Sequence, residues 1–171
     1  PRLRTVMDIY RQERCDMLLL LGDLLNYGPR NSLPDGLDAR GVAEELNAVK
    51  DEIVAVRGNC DSEVDQMLLQ FPILSTYAIV VDEGRKILLT HGHVYNKNML
   101  PPGQFDAVVY GHTHLWELYE CENGGGHTVI CNTGSITFPK GGKVPTFGLI
   151  DNGVVTIRDL ENNILAERKL K

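Results

Sequence analysis

The sequence lacks the features that mark several large classes of protein. Only 17 of its 171 residues are Lys or Arg against 23 Asp or Glu, so a formal charge of −6 replaces the basic excess typical of a nucleic-acid-binding surface. No apolar run approaches the roughly 20 residues that a membrane span needs, and no secretory signal pattern is present. We therefore expect a cytoplasmic protein with neither a membrane segment nor a general nucleic-acid-binding surface.

Cysteine is also scarce, and its spacing excludes two kinds of site. The four cysteines, at positions 15, 60, 121 and 131, have neither the spacing of a disulfide framework nor that of a zinc ribbon. Reduced thiols fit a cytoplasmic protein. Cys121 and Cys131 flank a predicted hairpin and could face each other, although two buried thiols are the favoured prediction.

Two catalytic motifs are missing as well. The sequence contains no Gly-x4-Gly-Lys-Ser/Thr loop, which excludes a P-loop NTPase. It contains no Gly-x-Ser-x-Gly elbow, so a serine-hydrolase triad has no support. Any catalytic chemistry therefore has to come from other residues.

The hydrophobic residues, 43% of the chain, can form a sizeable core, and their periodicity changes along the sequence. In the first half, helical periodicity over residues 2–13 and after Asp38 alternates with apolar runs at 17–21 and 53–56. Turn signals then separate strand-like segments at 74–81, 86–90, 107–110, 116–121, 127–131, 146–150 and 154–159. We predict one domain over residues 1–171 with an α/β fold, a four-layer α/β/β/α sandwich of two mixed sheets with flanking helices.

Five short blocks carry polar residues beside a glycine or at a predicted strand end. Residues i and i+2 of an extended chain point the same way, and ligands of open α/β sheets gather at the carboxyl ends of strands. The side chains of several blocks can therefore reach one site. In chain order the blocks are Gly-Asp at 22–23, Gly-Asn-Cys-Asp at 58–61, His-Gly-His at 91–93, Gly-His-Thr-His at 111–114 and Asn-Thr-Gly-Ser at 132–135.

Carboxylate, amide and imidazole groups in these blocks indicate a site for two divalent cations. Asp23 is the candidate bridging ligand, because one carboxylate can join two hard cations. Taken singly, each residue has an ordinary explanation as a turn or surface residue, but four of the five histidines fall in the two His-x-His pairs. Asp61 could orient a catalytic group or cap the next helix, and both alternatives stay open.

In this order the blocks resemble those of the calcineurin-like metallophosphoesterases, in particular the YfcE-like branch of small bacterial phosphodiesterases. The stretches GDLLNYGPRNSLPDG, AVRGNCDSEVDQMLLQFP, LTHGH and VYGHTHL carry the closer resemblance, which extends over nearly the whole chain. The resemblance implies that Asp23 bridges two metals and that a metal-bridging hydroxide attacks phosphorus in line. It implies that Asn59, His91 and His112 complete one metal site and that His114 serves the other.

The resemblance also concerns two catalytic positions and one missing motif. Cys60 stands where many relatives have a His that protonates the leaving group, and Asp61 matches the acidic partner of that His. Members of the family begin with a strand that ends in Asp-x-His, both residues being ligands of the first metal. No Asp-x-His motif precedes Asp23. We therefore expect a domain that is N-terminally truncated by this strand.

We predict a metal-dependent phosphodiesterase that hydrolyses a small phosphodiester. Two divalent ions are expected, with manganese the first choice and zinc, iron, magnesium and nickel also fitting the ligand set. One alternative is a phosphomonoesterase with the same centre, since the shape of the pocket and not the motifs separates the two activities. Loop 26–37 would line one wall of that pocket, and Tyr27 or Arg30 could narrow it. Another is a catalytically dead binding scaffold like the retromer subunit of this fold family. Exposed edge strands could also pair copies into a homo-oligomer.

Overall fold

A computed structural model describes residues 1–29 and 31–171 of the chain. Arg30, predicted to narrow the pocket, lies outside the described residues. None of the described helices is both long and apolar enough to cross a bilayer. The first half of the described chain contains α1 (Arg2–Gln12), β1 (Leu18–Leu20), α2 (Ala39–Asn47), a 3₁₀ turn (Lys50–Glu52), β2 (Ile53–Ala55) and α3 (Glu63–Leu68).

The second half of the described chain contains strands joined by turns and loops. Each strand predicted after residue 74 is present, with bounds that shift by up to three residues. The hairpin predicted at Asp151-Asn152-Gly153 is confirmed, with Asn152 and Gly153 at φ of 48° and 71°. The strands are β3 (Tyr77–Asp82), β4 (Arg85–Thr90), β5 (Ala107–Tyr110), β6 (Glu117–Asn123), β7 (Gly126–Asn132), β8 (Thr146–Asp151), β9 (Val154–Asp159) and β10 (Ile164–Lys169).

Helix boundaries follow local capping chemistry. The carboxylate of Asp38 accepts the N–H of Gly41 at 2.9 Å and caps α2, as predicted. Ser62 caps α3 in a reciprocal capping box with Asp65. Helix α3, with Ser62 as its N-cap, therefore follows directly after the block at 58–61.

A five-stranded mixed sheet forms one side of the sandwich. Its order is β3-β4-β5-β7-β6, with β4, β5 and β7 parallel and the two outer strands antiparallel to their neighbours. The outer face of this sheet packs against Leu100 and Phe105 from the loop after β4. In the described residues a loop therefore supplies this outer layer, and the helices lie on the other side of the sandwich.

The facing layer of strands consists of two separate pieces. Strand β1 pairs in parallel with β2, and β8, β9 and β10 form an antiparallel sheet. Along β1 the side chains alternate: Leu18 and Leu20 pack toward α2, whereas Leu19 and Leu21 pack toward the five-stranded sheet. The predicted α/β fold of facing sheets is thus confirmed, and in the described residues its helices lie outside the layer that contains β1 and β2.

The hairpin of β6 and β7 decides the question of Cys121 and Cys131. The strand register places Cys121 opposite Thr128 and Cys131 opposite Leu118, so the two thiols do not face each other. Cys131 is fully buried, and burial raises the pKa of its thiol to about 12. The favoured prediction of two buried thiols is confirmed for Cys131, whereas Cys121 is only half-buried.

A cavity of about 940 Å³ runs beside the open edges of β1 and β8. Among the described strands, β1 is hydrogen-bonded only to β2, and β8 only to β9. Apolar side chains from both pieces and from the five-stranded sheet line the cavity, including Leu19, Ile87, Val109, Leu149 and Val155. One end of the cavity is lined by Asp23 and by histidines of the predicted metal site.

Candidate metal centre

Strand ends bring the predicted ligands together. Asp23 follows β1 and Asn59 follows β2, while His91 follows β4 directly. His112 and His114 follow β5, which is parallel to β4. The carboxyl ends of parallel neighbours lie at the same edge of a sheet. The two facing layers therefore present these five side chains toward each other.

Four polar atoms converge on the side chain of His91. Its Nε2 lies 3.1 Å from Asn59 Oδ1, 3.1 Å from His112 Nδ1 and 3.5 Å from Asp23 Oδ2. Its Nδ1 lies 2.7 Å from the carbonyl oxygen of Leu21, so Nδ1 carries the proton and Nε2 presents a lone pair to the cluster.

The donor set fits a divalent cation. Asn59 Nδ2 donates to Cys60 Sγ at 3.2 Å, which directs Asn59 Oδ1 toward the lone pair of His91. Two acceptors that point at each other repel unless a proton or a cation lies between them. Two ligands held about 2.1 Å from one ion at right angles are about 3.0 Å apart. The separations of 3.1–3.5 Å around His91 Nε2 are close to that value.

His114 carries a second signal of the same kind. Its Nδ1 is buried and has no hydrogen-bond partner among the described residues. Burial lowers the pKa of His114, nearby Lys140 lowers it further, and the backbone of Phe138 partly offsets this. A buried, neutral and unpaired imidazole nitrogen suits a metal ligand.

His93 does not belong to the cluster of converging atoms. The ring centroid of His93 lies 5.2 Å from that of His91, but His93 is exposed and lies outside the converging atoms. No three His, Cys, Asp or Glu side chains among residues 1–29 and 31–171 form a complete ion-binding group on their own. The metal assignment therefore depends on donor chemistry that includes the Asn59 amide.

Backbone strain is concentrated at the ligands. Asp23, His112 and His114 have φ values of 55°, 65° and 63°, in the left-handed region that non-glycine residues rarely adopt. Strain of this kind persists only where the surrounding structure enforces it, and it clusters at functional sites. At His112 and His114 buried Asn132 enforces it, because its amide donates to Gly111 O at 2.9 Å and to Thr113 Oγ1 at 2.8 Å. The fifth block thus holds the fourth in place.

Asp61 connects two ligand loops. It is 3% exposed, and its carboxylate accepts the N–H groups of Asp23 at 2.8 Å, Leu24 at 2.9 Å and Gly58 at 2.7 Å. The alternative that Asp61 caps the next helix is wrong, because Ser62 occupies that position. With both oxygens bound to backbone donors, the geometry favours a positioning part for Asp61 over proton transfer.

Cys60 lies at the edge of the same cluster. Its backbone N–H donates to Asp23 Oδ1 at 2.9 Å, and its Sγ accepts from the Asn59 amide. A Cβ atom on Gly28 would lie 3.0 Å from this sulfur, so loop 26–37 passes close to the thiol. The residue therefore contacts two candidate ligands.

Loop 26–37 lines the cavity through Tyr27, as predicted. Phe138, which the sequence patterns did not single out, lies beside it with ring centroids 6.4 Å apart. Phe138 also stacks on His114, with centroids 6.2 Å apart and planes 13° apart. The only sequence signal for Phe138 was its place shortly after the Asn-Thr-Gly-Ser block.

Comparison with known proteins gives consistent results. The sequence profile of the calcineurin-like phosphoesterase superfamily domain matches residues 2–153. Phosphodiesterase YfcE of Escherichia coli K12 is 43% identical over 169 residues, which cover 98% of this chain and 90% of the relative. A solved structure of YfcE, described as a phosphoesterase from E. coli, has a TM-score of 0.93 at 41% identity and covers 100% of this chain and 93% of that one. Phosphodiesterase MJ0936 of Methanocaldococcus jannaschii is 23% identical over 168 residues, covering 94% of this chain and 90% of the relative.

Proposed function

The chain belongs to the calcineurin-like phosphoesterase superfamily, and we propose that it is a divalent-metal-dependent phosphodiesterase acting on a small phosphodiester. The observation that carries this proposal is the convergence of Asp23, Asn59 and His112 on the free lone pair of His91. The names of YfcE and MJ0936, both phosphodiesterases, support the same reaction class.

Asp23, Asn59, His91 and His112 would hold one cation, and Asp23 with His114 would hold the other. Two such ions supply Lewis-acid neutralisation of the phosphate oxygens and activation of the attacking water. Manganese is the proposed metal, because carboxylate, amide and imidazole ligands suit it. The neutral amide of Asn59 limits the negative charge around the site.

Hydrogen bonds within the protein hold these candidate ligands in one orientation. The carbonyl oxygen of Leu21 accepts from His91 Nδ1 at 2.7 Å and so fixes the imidazole tautomer. Asp61 ties the loop of Asp23 to that of Gly58 through three backbone hydrogen bonds. Preorganised ligands of this kind need no rearrangement when the phosphate binds.

We also propose that a further strand occupies the space between β1 and β8. Both edges are open within the described residues, and the cavity between them is apolar and about 940 Å³ in volume. A buried backbone group without a partner costs about 1–3 kcal/mol. A strand parallel to β1 would end beside Asp23 and His114, where an Asp-x-His motif would add a carboxylate and an imidazole to the second site.

Hydrolysis of bis-p-nitrophenyl phosphate with and without Mn²⁺ tests both proposals. Three proteins are compared: the chain as it is, the chain with an Asp-x-His strand fused ahead of residue 1, and the same fusion with Ala-x-Ala. Mn²⁺-dependent turnover that needs the Asp-x-His strand is the expected result. The Ala-x-Ala fusion adds the strand without its metal ligands, so it shows whether the strand alone is enough for turnover.

Other outcomes point to the alternatives. Hydrolysis of p-nitrophenyl phosphate in place of the diester would indicate a phosphomonoesterase. No turnover of either ester by any of the three proteins would contradict the enzyme and favour a binding scaffold. The cytoplasmic location and the homo-oligomer stay predictions, which fractionation and sedimentation would check.

A further inference from the structure

Two half-buried aromatic rings stand beside the candidate centre. Tyr27 and Phe138 both line the cavity that contains Asp23 and His114. Their ring centroids are 6.4 Å apart with planes tilted by 49°, so they form one continuous wall that leaves no slot between the rings. The plane of Phe138 is within 13° of that of His114, a candidate metal ligand. The wall therefore begins at the reacting centre.

The loop that carries Phe138 is held by several hydrogen bonds. Ser135 Oγ accepts the N–H groups of Thr137 at 3.2 Å and Phe138 at 2.9 Å. The guanidinium of Arg2 donates to the carbonyl oxygens of Ile136 at 3.1 Å and Thr137 at 2.6 Å. These contacts come from both the loop itself and α1. The ring of Phe138 is thus preorganised, which lowers the entropic cost of binding a ligand against it.

One cation close to His114 suits an anionic group next to the wall. Lys140 is exposed, and its backbone N–H donates to the carbonyl oxygen of His114 at 3.0 Å. A cation beside an aromatic surface suits a phosphate ester that carries a flat ring.

We propose that Tyr27 and Phe138 form a subsite for an aromatic ring attached to the phosphate, so that the preferred substrate is an aryl or nucleoside phosphodiester. This inference deepens the proposed function and rests on it. A ring stacked on Phe138 lies next to His114, which places the attached phosphorus at the candidate centre. A purely structural Phe138 would instead affect all phosphate esters alike.

Ligand-observed NMR in the presence of Mg²⁺ measures the subsite without turnover. The probes are phenyl phosphate, adenosine 5′-monophosphate and glycerol 3-phosphate, which differ in whether a ring is present and in its kind. Stacking of one ring on an aromatic side chain should strengthen binding about fivefold to tenfold over glycerol 3-phosphate. Saturation transfer should be strongest at the ring protons. Comparison of the first two probes distinguishes a simple aryl group from a nucleobase.

Phe138→Leu should remove most of this ring preference, so that the affinities for phenyl phosphate and adenosine 5′-monophosphate fall more than the affinity for glycerol 3-phosphate. Tyr77→Ala is the control, since Tyr77 on β3 is an exposed aromatic residue beside Tyr95 and lies outside the cavity lining. Equal loss for all three probes, or equal affinity for them in the unmodified chain, would overturn the subsite alone. If none of the three probes binds either to this chain or to its fusion with the Asp-x-His strand, the proposed function is overturned together with the subsite.

Discussion

Asp23 combines more structural constraints than any other candidate ligand. Its backbone is left-handed, its N–H is bound by Asp61, and its two carboxylate oxygens point to different partners. Oδ1 accepts from the backbone of Cys60, whereas Oδ2 faces His91 at 3.5 Å. Oδ2 is therefore the oxygen that faces the candidate ligand cluster, whereas Oδ1 is held by the backbone of the loop after β2.

In the chain that carries the fused Asp-x-His strand, Asp23→Asn should abolish Mn²⁺-dependent hydrolysis with little loss of fold. Asparagine tolerates a positive φ and keeps the shape of the side chain, but it removes the charge that two cations would share. Because loss of groups that merely orient metal ligands costs about 10–100-fold, loss of the bridging ligand should exceed 100-fold. Turnover and Mn²⁺ calorimetry provide the measurements, with circular dichroism as the fold control. Near-normal turnover would contradict a two-metal centre.

Asp61→Asn should act through position, since the carboxylate contacts three backbone donors. An amide offers one acceptor oxygen, so at least one N–H is left without a partner at a cost of about 1–3 kcal/mol in the free energy of unfolding. Metal affinity should fall about 10–100-fold with it. Urea unfolding and Mn²⁺ titration measure the two effects.

Cys60→Ser is the neighbouring control. In the chain with the fused Asp-x-His strand, this substitution should lower the rate of Mn²⁺-dependent hydrolysis only modestly. A fall of about 10³-fold with normal metal affinity would instead make Cys60 a general acid.

At the scale of elements, the edge strands β1 and β8 have fewer hydrogen-bonded neighbours than the central strands of the five-stranded sheet. Strand β1 has three residue pairs with β2, and its other edge faces the cavity. Strands β4 and β5 have neighbours on both sides. Local opening follows the number of buried contacts and hydrogen bonds. Amide protection should therefore be weakest in β1 and β8, whose open edges face the cavity, and the chain continues from β1 to Asp23.

Hydrogen exchange can test this directly. Peptides covering β1 and β8 should exchange faster than those covering β4 and β5, and fusion of a strand ahead of residue 1 should slow the first pair alone. The Ala-x-Ala fusion should slow exchange as well as the Asp-x-His fusion does, because hydrogen bonding along the edge does not need the ligands. Unchanged exchange in β1 would contradict the proposed strand position.

Most elements were predictable from local pattern, and the exceptions have physical reasons. Strand β10 was missed because Ile164–Lys169 is largely exposed and charged, so only its pairing with β9 makes it a strand. The other strands of that layer, β1, β2, β8 and β9, were predicted, but not the division of the layer into two pieces, because hydrogen-bond partners can lie far apart in sequence. The ligand residues were predictable because each follows a short apolar run. The hydrogen bonds by which Asn132 holds the block at 111–114, and the position of Phe138 beside His114, depend on tertiary contacts that no local sequence pattern indicates.

At the scale of the whole molecule, four of the five histidines lie at or beside the candidate metal centre. The pKa values of His93, His112 and His114 are all lowered, with burial the largest cause in each. The unfolded chain, with an ordinary histidine pKa of about 6.5, takes up protons first as the pH falls. Protonation therefore favours the unfolded state, and stability should fall as the pH drops through about 6.5.

Urea unfolding of the metal-free chain at pH 8 and pH 5.5 checks this sign. The midpoint should be lower at pH 5.5. His114→Gln should make the difference between the two midpoints smaller, because glutamine does not titrate. An equal difference in the variant and the parent would show that other groups control the acid response.

The closest backbone contact in the site has a consequence for how such a protein can change. A Cβ on Gly22 would lie 2.3 Å from Gly58 N, and a Cβ on Gly58 would lie 2.1 Å from Asp23 Oδ1. Neither glycine has room for a side chain, so the two loops fit together as bare backbone. In a directed-evolution library, variation at these positions would be lost first, and no second mutation could make room. New metal preferences would therefore have to arise from the surrounding side chains and not from these two glycines.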